Sequence, residues 1–109
     1  MDYIVFNALL DKIVAEEKKI GESKAKEYTQ GDRLDNFKRL ANELNLTPAQ
    51  IWAVYFKKHV DSIMSYCRTG NVLSEDIRGR ILDARVYLSL LWGLVEEKEQ
   101  VKSDAEINS

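Results

Sequence analysis

The chain has 109 residues, of which 45% are hydrophobic and 31% charged, a composition typical of one folded domain rather than a disordered segment. Its net charge of −2 and its pI of about 5.4 argue against a general nucleic-acid coat protein, which needs a basic face. The single cysteine, Cys67, excludes an internal disulfide and a cysteine-based metal cage, and it favours the reducing cytoplasm. The N-terminal residues do not resemble a signal peptide, and the most apolar stretch, Val86 to Val95, is too short to span a membrane.

Glycine and proline are scarce, with five Gly and one Pro, so long spans can be helical without interruption. No alternating run bounded by turn residues indicates a strand. We therefore predict an all-α fold of about four helices. The first helix is predicted from about Tyr3 to Tyr28 and carries apolar residues at roughly helical spacing: Phe6, Leu9, Leu10, Ile13 and Ile20.

The second predicted helix is short and has a signal at each end. Asp32 is its expected N-cap, because a short side-chain oxygen can accept a free amide proton of the first turn. Asn45 suits the left-handed exit of the helix. Its apolar face is formed by Leu34, Phe37, Leu40, Ala41 and Leu44.

The third helix is predicted from about Pro48 to Arg68. Thr47 fits its N-cap, Pro48 its first position, and Gln50 can complete a capping box. Gly70 and the residue that follows it end the helix. Its predicted core stripe has three-four spacing and consists of Ala53, Phe56, Val60, Ile63 and Cys67.

The fourth helix is predicted over residues 75–97, capped by Ser74, with acidic residues in its first turn where the helix dipole favours them. Its short connection to the third helix (48–68) predicts an antiparallel hairpin, packed against the N-terminal helix and the short second helix. We expect residues 1–98 to form one domain and the polar residues 99–109 to be a disordered tail. The predicted core stripe is Ile77, Ile81, Ala84, Leu88, Leu91 and Val95.

A second row of residues borders the predicted core stripe of the third helix. Aromatic rings beside one histidine can stack on a base, although such residues more often pack in cores and interfaces. Lys58 adds positive charge beside the row, or pairs with Asp61 one turn away. His59 and Asp61 point to nearly opposite sides, so they cannot form a catalytic pair within this helix. The row consists of Trp52, Tyr55, His59, Ser62 and Tyr66.

A similar row on the fourth helix contains Arg80, Asp83 and Tyr87. An arginine near the core needs an acceptor, and Asp83 lies one turn away, so an ion pair within the helix is one interpretation. The other is an anion site, in which Arg80 binds a phosphate. In that case we expect Lys58, His59 and Arg80 to converge on one anionic group, within a subunit or between two subunits.

Several other chemistries find little support in the sequence. The glycines are dispersed, so no phosphate-binding loop is present, and one His with one Cys cannot build a zinc site. A magnesium site would need several carboxylates, as in the all-α nucleoside triphosphate pyrophosphatases. The available acids do not reproduce the spacing of that group, so no cofactor is predicted, and Mg²⁺ is expected only if the chain is such a hydrolase. The acids considered are Glu16, Glu17, Glu22, Glu75, Asp76 and Asp83.

A set of motifs runs through about residues 24 to 95. The motifs are Lys26-Glu27-Tyr28, Asp32 with Leu34–Phe37, Thr47–Ile63, Gly79–Ala84 and Tyr87-Leu88. They resemble those of a family of small helical proteins found in phages and prophages. A more distant similarity, to the nucleotide modification associated domain, rests on a Lys-x-x-x-Tyr element, a central Lys and a late Asp followed by Tyr.

This resemblance implies a phage accessory protein in the host cytoplasm that binds and sequesters a nucleotide or nucleotide-derived phosphate ligand. Such capture would counteract bacterial nucleotide-signalling defence. The chain departs from the family at Val86, where a small polar residue is expected. With the two aromatic residues at 52 and 55, the predicted ligand-binding set is Asn36, Trp52, Tyr55, Lys58, His59, Arg80, Asp83 and Tyr87.

Three other functions remain open. They are a metal-dependent nucleotide hydrolase or modifying enzyme that uses Asp83 and neighbouring acids, a protein-binding inhibitor of a host factor, and a purely structural oligomer. No catalytic residue is assigned, and non-enzymatic binding is favoured. The third and fourth helices each carry two rows of apolar or aromatic residues with little else to cover them, so we expect a homo-oligomer, most simply a dimer.

Overall fold

The computed structural model describes residues 1–25, 32–71 and 75–108, and every regular element in these ranges is a helix. The predicted all-α fold of about four helices is thereby confirmed. No helix in the same ranges is both long and apolar enough to cross a membrane. The helices are α1 (Tyr3–Ala25), α2 (Asp35–Leu44), α3 (Pro48–Thr69) and α4 (Ile77–Asn108).

Three predicted helix boundaries are confirmed by their local geometry. At the start of α3, the Gln50 amide donates to Thr47 Oγ1 at 3.1 Å and the Thr47 amide donates to Gln50 Oε1 at 2.8 Å. This reciprocal pair is the predicted capping box. Asn45 ends α2 with φ 56°, and Gly70 ends α3 with φ 75°, both in the left-handed region.

The predicted N-cap of α2 is wrong. The cap position is Leu34, whose side chain cannot accept a hydrogen bond, and the helix begins at Asp35. Asp32 instead accepts the Leu34 amide through Oδ1 at 2.9 Å and the Lys38 ammonium through Oδ2 at 2.8 Å. An aspartate that binds an amide two residues on stabilises a turn, and here the turn precedes the helix.

The fourth helix begins later and ends later than predicted. It starts at Ile77, and Asp76 accepts the Arg78 amide at 2.8 Å just before it. The predicted cap, Ser74, and the last turn of the predicted first helix, up to Tyr28, lie outside the described residues. The polar segment predicted to be a disordered tail is helical as far as Asn108, since no proline or glycine interrupts it.

Helix α4 is the central element. Helix α3 runs antiparallel to it, because Pro48 lies near Leu94 whereas Trp52 lies near Tyr87, seven residues earlier in α4. Helix α2 packs on α3, and α1 packs on α4 alone among the described helices. The predicted hairpin is therefore present. Among these helices, α1 contacts only α4 of the hairpin, whereas α2 packs on α3 and also reaches α4 through Lys38, whose Nζ lies 2.8 Å from Glu97 Oε2.

The core lies where α2, α3 and α4 meet. Within it the Trp52 ring stacks on Phe56, with ring centroids 4.6 Å apart, and the Trp52 indole N–H donates to the backbone oxygen of Tyr87 at 2.6 Å. A buried indole needs such an acceptor. The buried cluster consists of Leu34, Phe37, Ala41, Ile51, Trp52 and Leu94.

The predicted core stripes of the two long helices are correct only in part: Ala84 is buried, and Phe56 and Leu91 pack against the buried cluster, but other members are exposed. On α3, Val60 is 38% exposed and Cys67 is also exposed, whereas the buried residues are Ile51 and Trp52. On α4, Leu88 is half exposed. On α3 the reason is that α2 docks against Ile51 and Trp52, which turns this side of the helix inward. On α2 itself the predicted face is buried at Leu34, Phe37 and Ala41, while Leu44 is exposed.

A charged contact attaches α1 to α4. Arg85 approaches Glu17 Oε2 with both Nε and Nη2 at 3.1 Å, and Ser89 Oγ donates to Glu17 Oε1 at 2.9 Å. Both oxygens of one carboxylate are therefore bound by one face of α4. This contact sets the position of α1 along α4 and brings Lys24, two turns further on, close to Asp83.

Ile51→Ala is expected to lower the free energy of unfolding by about 2–5 kcal/mol, because the side chain is 2% exposed and its removal leaves a cavity. The matched control is Val54→Ala on the same helix, where the side chain is 65% exposed and the change should stay within about 0.5 kcal/mol. Urea unfolding followed by circular dichroism measures both. Equal effects of the two substitutions would contradict this orientation of α3.

Candidate functional site

A cleft of about 150 Å³ lies between the end of α1, the start of α2 and the facing sides of α3 and α4. Its lining combines apolar side chains with cationic, amide and phenol groups. Three of the predicted ligand-binding residues are among those that line it. The lining residues are Lys24, Arg33, Asn36, Phe37, Tyr55, Val86, Tyr87 and Leu90.

Two tyrosine rings form walls of the cleft and are held by one phenylalanine. Phe37 meets Tyr55 with ring centroids 6.3 Å apart and Tyr87 with centroids 6.2 Å apart, both in edge-to-face geometry. This arrangement is favourable for aromatic pairs, because the positive edge of one ring faces the negative face of the other. The ring of Tyr87 also packs on His59, with centroids 4.7 Å apart.

The cations and the amide of the cleft come from separate elements. Lys24 belongs to α1, Arg33 to the turn before α2, and Asn36 to the first turn of α2. Arg39 donates to Asn36 Oδ1 at 2.8 Å, which orients the amide and leaves its nitrogen as the group that can donate further. Two positive charges and an amide donor together suit an anion.

A second polar group adjoins the cleft and shares Lys24 with it. Lys24 Nζ lies 3.9 Å from Asp83 Oδ1, and Arg80 Nε lies 3.5 Å from Glu75 Oε2. Asp83 is therefore linked to α1 and Arg80 to the segment before α4, which the predicted pairing within one helix did not include. An open depression of about 440 Å³ lies beside these residues and is lined by Ile20, Ser23, Lys24, Glu75, Gly79 and Asp83.

His59 lies beside this cluster and feels its charges. Its Nδ1 is buried and has no hydrogen-bond partner among the described residues. Burial lowers the pKa of His59, the positive charges of Lys24 and Arg80 lower it further, and the carboxylates of Asp83 and Glu75 oppose that effect. The neutral imidazole is thus the favoured form at neutral pH.

The structure brings together only part of the predicted site. His59, Arg80 and Asp83 lie in the cluster beside the cleft. Trp52 is buried in the core. Lys58 is exposed and is not among the groups whose charge affects His59, so its predicted convergence with His59 and Arg80 is not observed. The predicted partner of Asp61 was Lys58, but Lys57 takes that role at 3.0 Å, because it lies one full turn before Asp61.

Sequence reasoning missed two of the cleft residues, Lys24 and Arg33. Lys24 carries a signal that was available, since it begins the Lys-x-x-x-Tyr element of the resemblance described above. Arg33 carries none, because it stands in a turn with no apolar period around it. Both residues reach the cleft through tertiary packing.

The carboxylates do not gather into a metal site in the described ranges. No group of three or more His, Cys, Asp or Glu side chains there is placed to hold one ion. Glu75 and Asp83 line the same depression, but the acids of α1 considered for magnesium do not join them; Glu17 is bound to Arg85 and Ser89.

Comparisons with protein-family models, with curated proteins and with solved structures found no match to this chain. The resemblance to the phage family therefore stays a prediction from the motifs quoted above.

Lowering the pH from 7.5 to 5.5 is expected to destabilise the fold through His59. Its pKa is lower in the folded state than its ordinary value of about 6.5, so the unfolded chain binds a proton first as pH falls. The contribution of neutral His59 to the free energy of unfolding is fully present above a pH of about 6.5. It is lost as the pH falls towards the lower pKa of His59 in the folded state. His59→Gln should remove most of this pH dependence, because the chain has no other histidine. Thermal melts of both proteins test this, and equal slopes would contradict it.

Proposed function

We propose that this protein binds a small phosphate-bearing ligand of the nucleotide type in the cleft between α1, α2, α3 and α4. The observation that carries the proposal is the placement of Lys24 and Arg33 on one cleft whose walls are Tyr55 and Tyr87. Cations recognise the phosphate, and aromatic rings offer a surface on which a flat base can stack.

The size of the cleft limits how the ligand sits. Sites for drug-sized ligands usually enclose about 300–1,000 Å³, so a cleft of about 150 Å³ holds one part of a nucleotide and not the whole. The adjoining open depression supplies the remaining room, and Lys24 borders both spaces. A phosphate placed at Lys24 and Arg33 leaves the carboxylates of Glu75 and Asp83 to accept hydrogen bonds from hydroxyl or amino groups of the same ligand.

The proposed activity is capture without turnover. In a phage setting, which the sequence motifs suggest, capture of a nucleotide-derived signal would lower its free concentration in the host cell. His59, neutral and packed on Tyr87, supports the wall of the cleft in this scheme and takes no part in proton transfer.

Thermal-shift measurements with adenosine and guanosine mono- and diphosphates, cyclic mononucleotides and inorganic pyrophosphate test the proposal. At least one of these probes should raise the melting temperature at millimolar concentration, since a ligand that binds the folded state stabilises it by mass action. Lys24→Ala and Arg33→Ala should each weaken binding about tenfold or more, because each removes a charge-assisted contact worth about 1.5–3 kcal/mol. The matched control is Lys57→Ala, which removes the same charge from the exposed surface of α3.

Arg80→Ala separates a binding role from a structural one. If Arg80 only pairs with Glu75 and its other neighbours, its removal lowers stability with and without ligand. If Arg80 also contacts the phosphate, stability without ligand holds or rises while stabilisation by the probe is lost. Absence of a shift with every probe would contradict the proposal, and magnesium-dependent release of phosphate or pyrophosphate would replace it with a hydrolase.

A further inference from the structure

The single chain leaves one row of apolar side chains on α4 without cover. Arg85 and Ser89 face α1, and Tyr87 and Leu94 face α3 and α2. By helical spacing the row formed by Ile81, Leu88, Trp92 and Val95 occupies the remaining side of α4. Leu88 is 51% exposed, Val95 49% and Trp92 71%. Except for Trp92, these residues belong to the core stripe that the helical spacing of the sequence predicts for α4.

The neighbouring helices extend this row into a wider surface. On α3, Val60 and Met64 belong to the row turned away from α2, and both are exposed. On α1, Leu9 points away from the side of Val14, which lines a depression with Arg33 and Leu90, and Leu9 is exposed as well. We call the surface formed by these three helices, opposite to α2, the back face.

We propose that the back face is the interface of a symmetric homodimer, in which a second copy of this chain covers it. Apolar stripes with the period of a buried helix face are expected to be covered, and no described part of the chain covers the back face. In an isologous contact the same surface of each copy packs against the other, so both back faces are buried together.

The accessible surface of the chain is larger than that of a compact monomer of its mass, as expected for a subunit without its partner. The accessible surface is 8540 Å², whereas a compact monomer of 12.6 kDa has about 6,200 Å². The excess, about 2,300 Å² per chain, is spread over the whole chain and includes the exposed ends of α1 and α4, and it leaves room for the roughly 800 Å² that each partner buries in a standard interface. The radius of gyration is 16.9 Å, whereas a compact domain of this length has about 13 Å.

Charge also favours a second copy of this chain as the partner that covers the back face. The net charge is only −2, so two copies repel each other weakly. A surface made for an anionic membrane would instead carry a rim rich in Lys and Arg, whereas α4 beyond Val95 carries five acidic residues and only two lysines. The proposed dimer leaves the cleft open, because the cleft lies on the α2 side, and it does not depend on the proposed function.

Light scattering coupled to size-exclusion chromatography tests the dimer. The wild-type chain should have twice the mass of 12.6 kDa at micromolar concentration, and Leu88→Glu should shift it to 12.6 kDa with an unchanged far-ultraviolet circular dichroism spectrum. The matched control is Val54→Glu, because Val54 is exposed on α3 outside the back face and should leave the mass of the dimer unchanged.

A second readout keeps the proposal open to refutation if Leu88→Glu fails to fold. Trp52 is buried in the single chain and Trp92 is exposed, so dilution of the wild type below its dissociation constant should shift tryptophan emission to longer wavelength. A wild-type chain that stays monomeric at 100 micromolar, with or without affinity for lipid vesicles, would overturn the proposal. A dimer that survives Leu88→Glu would do the same.

Discussion

The hydrogen bond from the Trp52 indole to the backbone oxygen of Tyr87 joins the two long helices at a defined register. With Trp52 stacked on Phe56 and buried between the helices, α3 cannot slide along α4 without leaving a buried donor unpaired, which costs about 1–3 kcal/mol. This register places His59, two turns further along α3 from Trp52, beside Tyr87. The wall of the cleft therefore depends on an interaction in the core below it.

The parts of the fold that could be predicted are those decided within a few residues. Thr47 and Gln50 bind each other across three positions, and Asn45 leaves its helix through its own backbone conformation, so the sequence near each end contains the whole cause. The rotation of α3 and α4 is different. Each helix has two rows suited to burial, and docking of α2 against Ile51 and Trp52 decides between them.

The same distinction applies to the cleft. Tyr55 and Tyr87 could be chosen because each stands in a row beside an apolar stripe, and Asn36 because it lies in a recognisable motif. Lys24 and Arg33 come from elements that meet only after the chain has folded. A lysine on a charged helix end has no local pattern that separates a site residue from a solvated one. For Lys24 the relevant contact is that of Glu17 with Arg85, which joins α1 to α4 across 68 positions of the chain.

The separate anchoring of α1 and α2 has a consequence for the dynamics of the protein. In the described ranges α1 packs on α4, α2 packs on α3, and the two do not pack on each other, although α1 and the turn before α2 each lend a cation to the cleft. An anion held by Lys24 and Arg33 at once would bridge them and act as a noncovalent staple. Because opening of α1 would then require the anion to leave, amide hydrogen exchange along α1 should slow in proportion to occupancy, and the most weakly attached helix would report on the ligand.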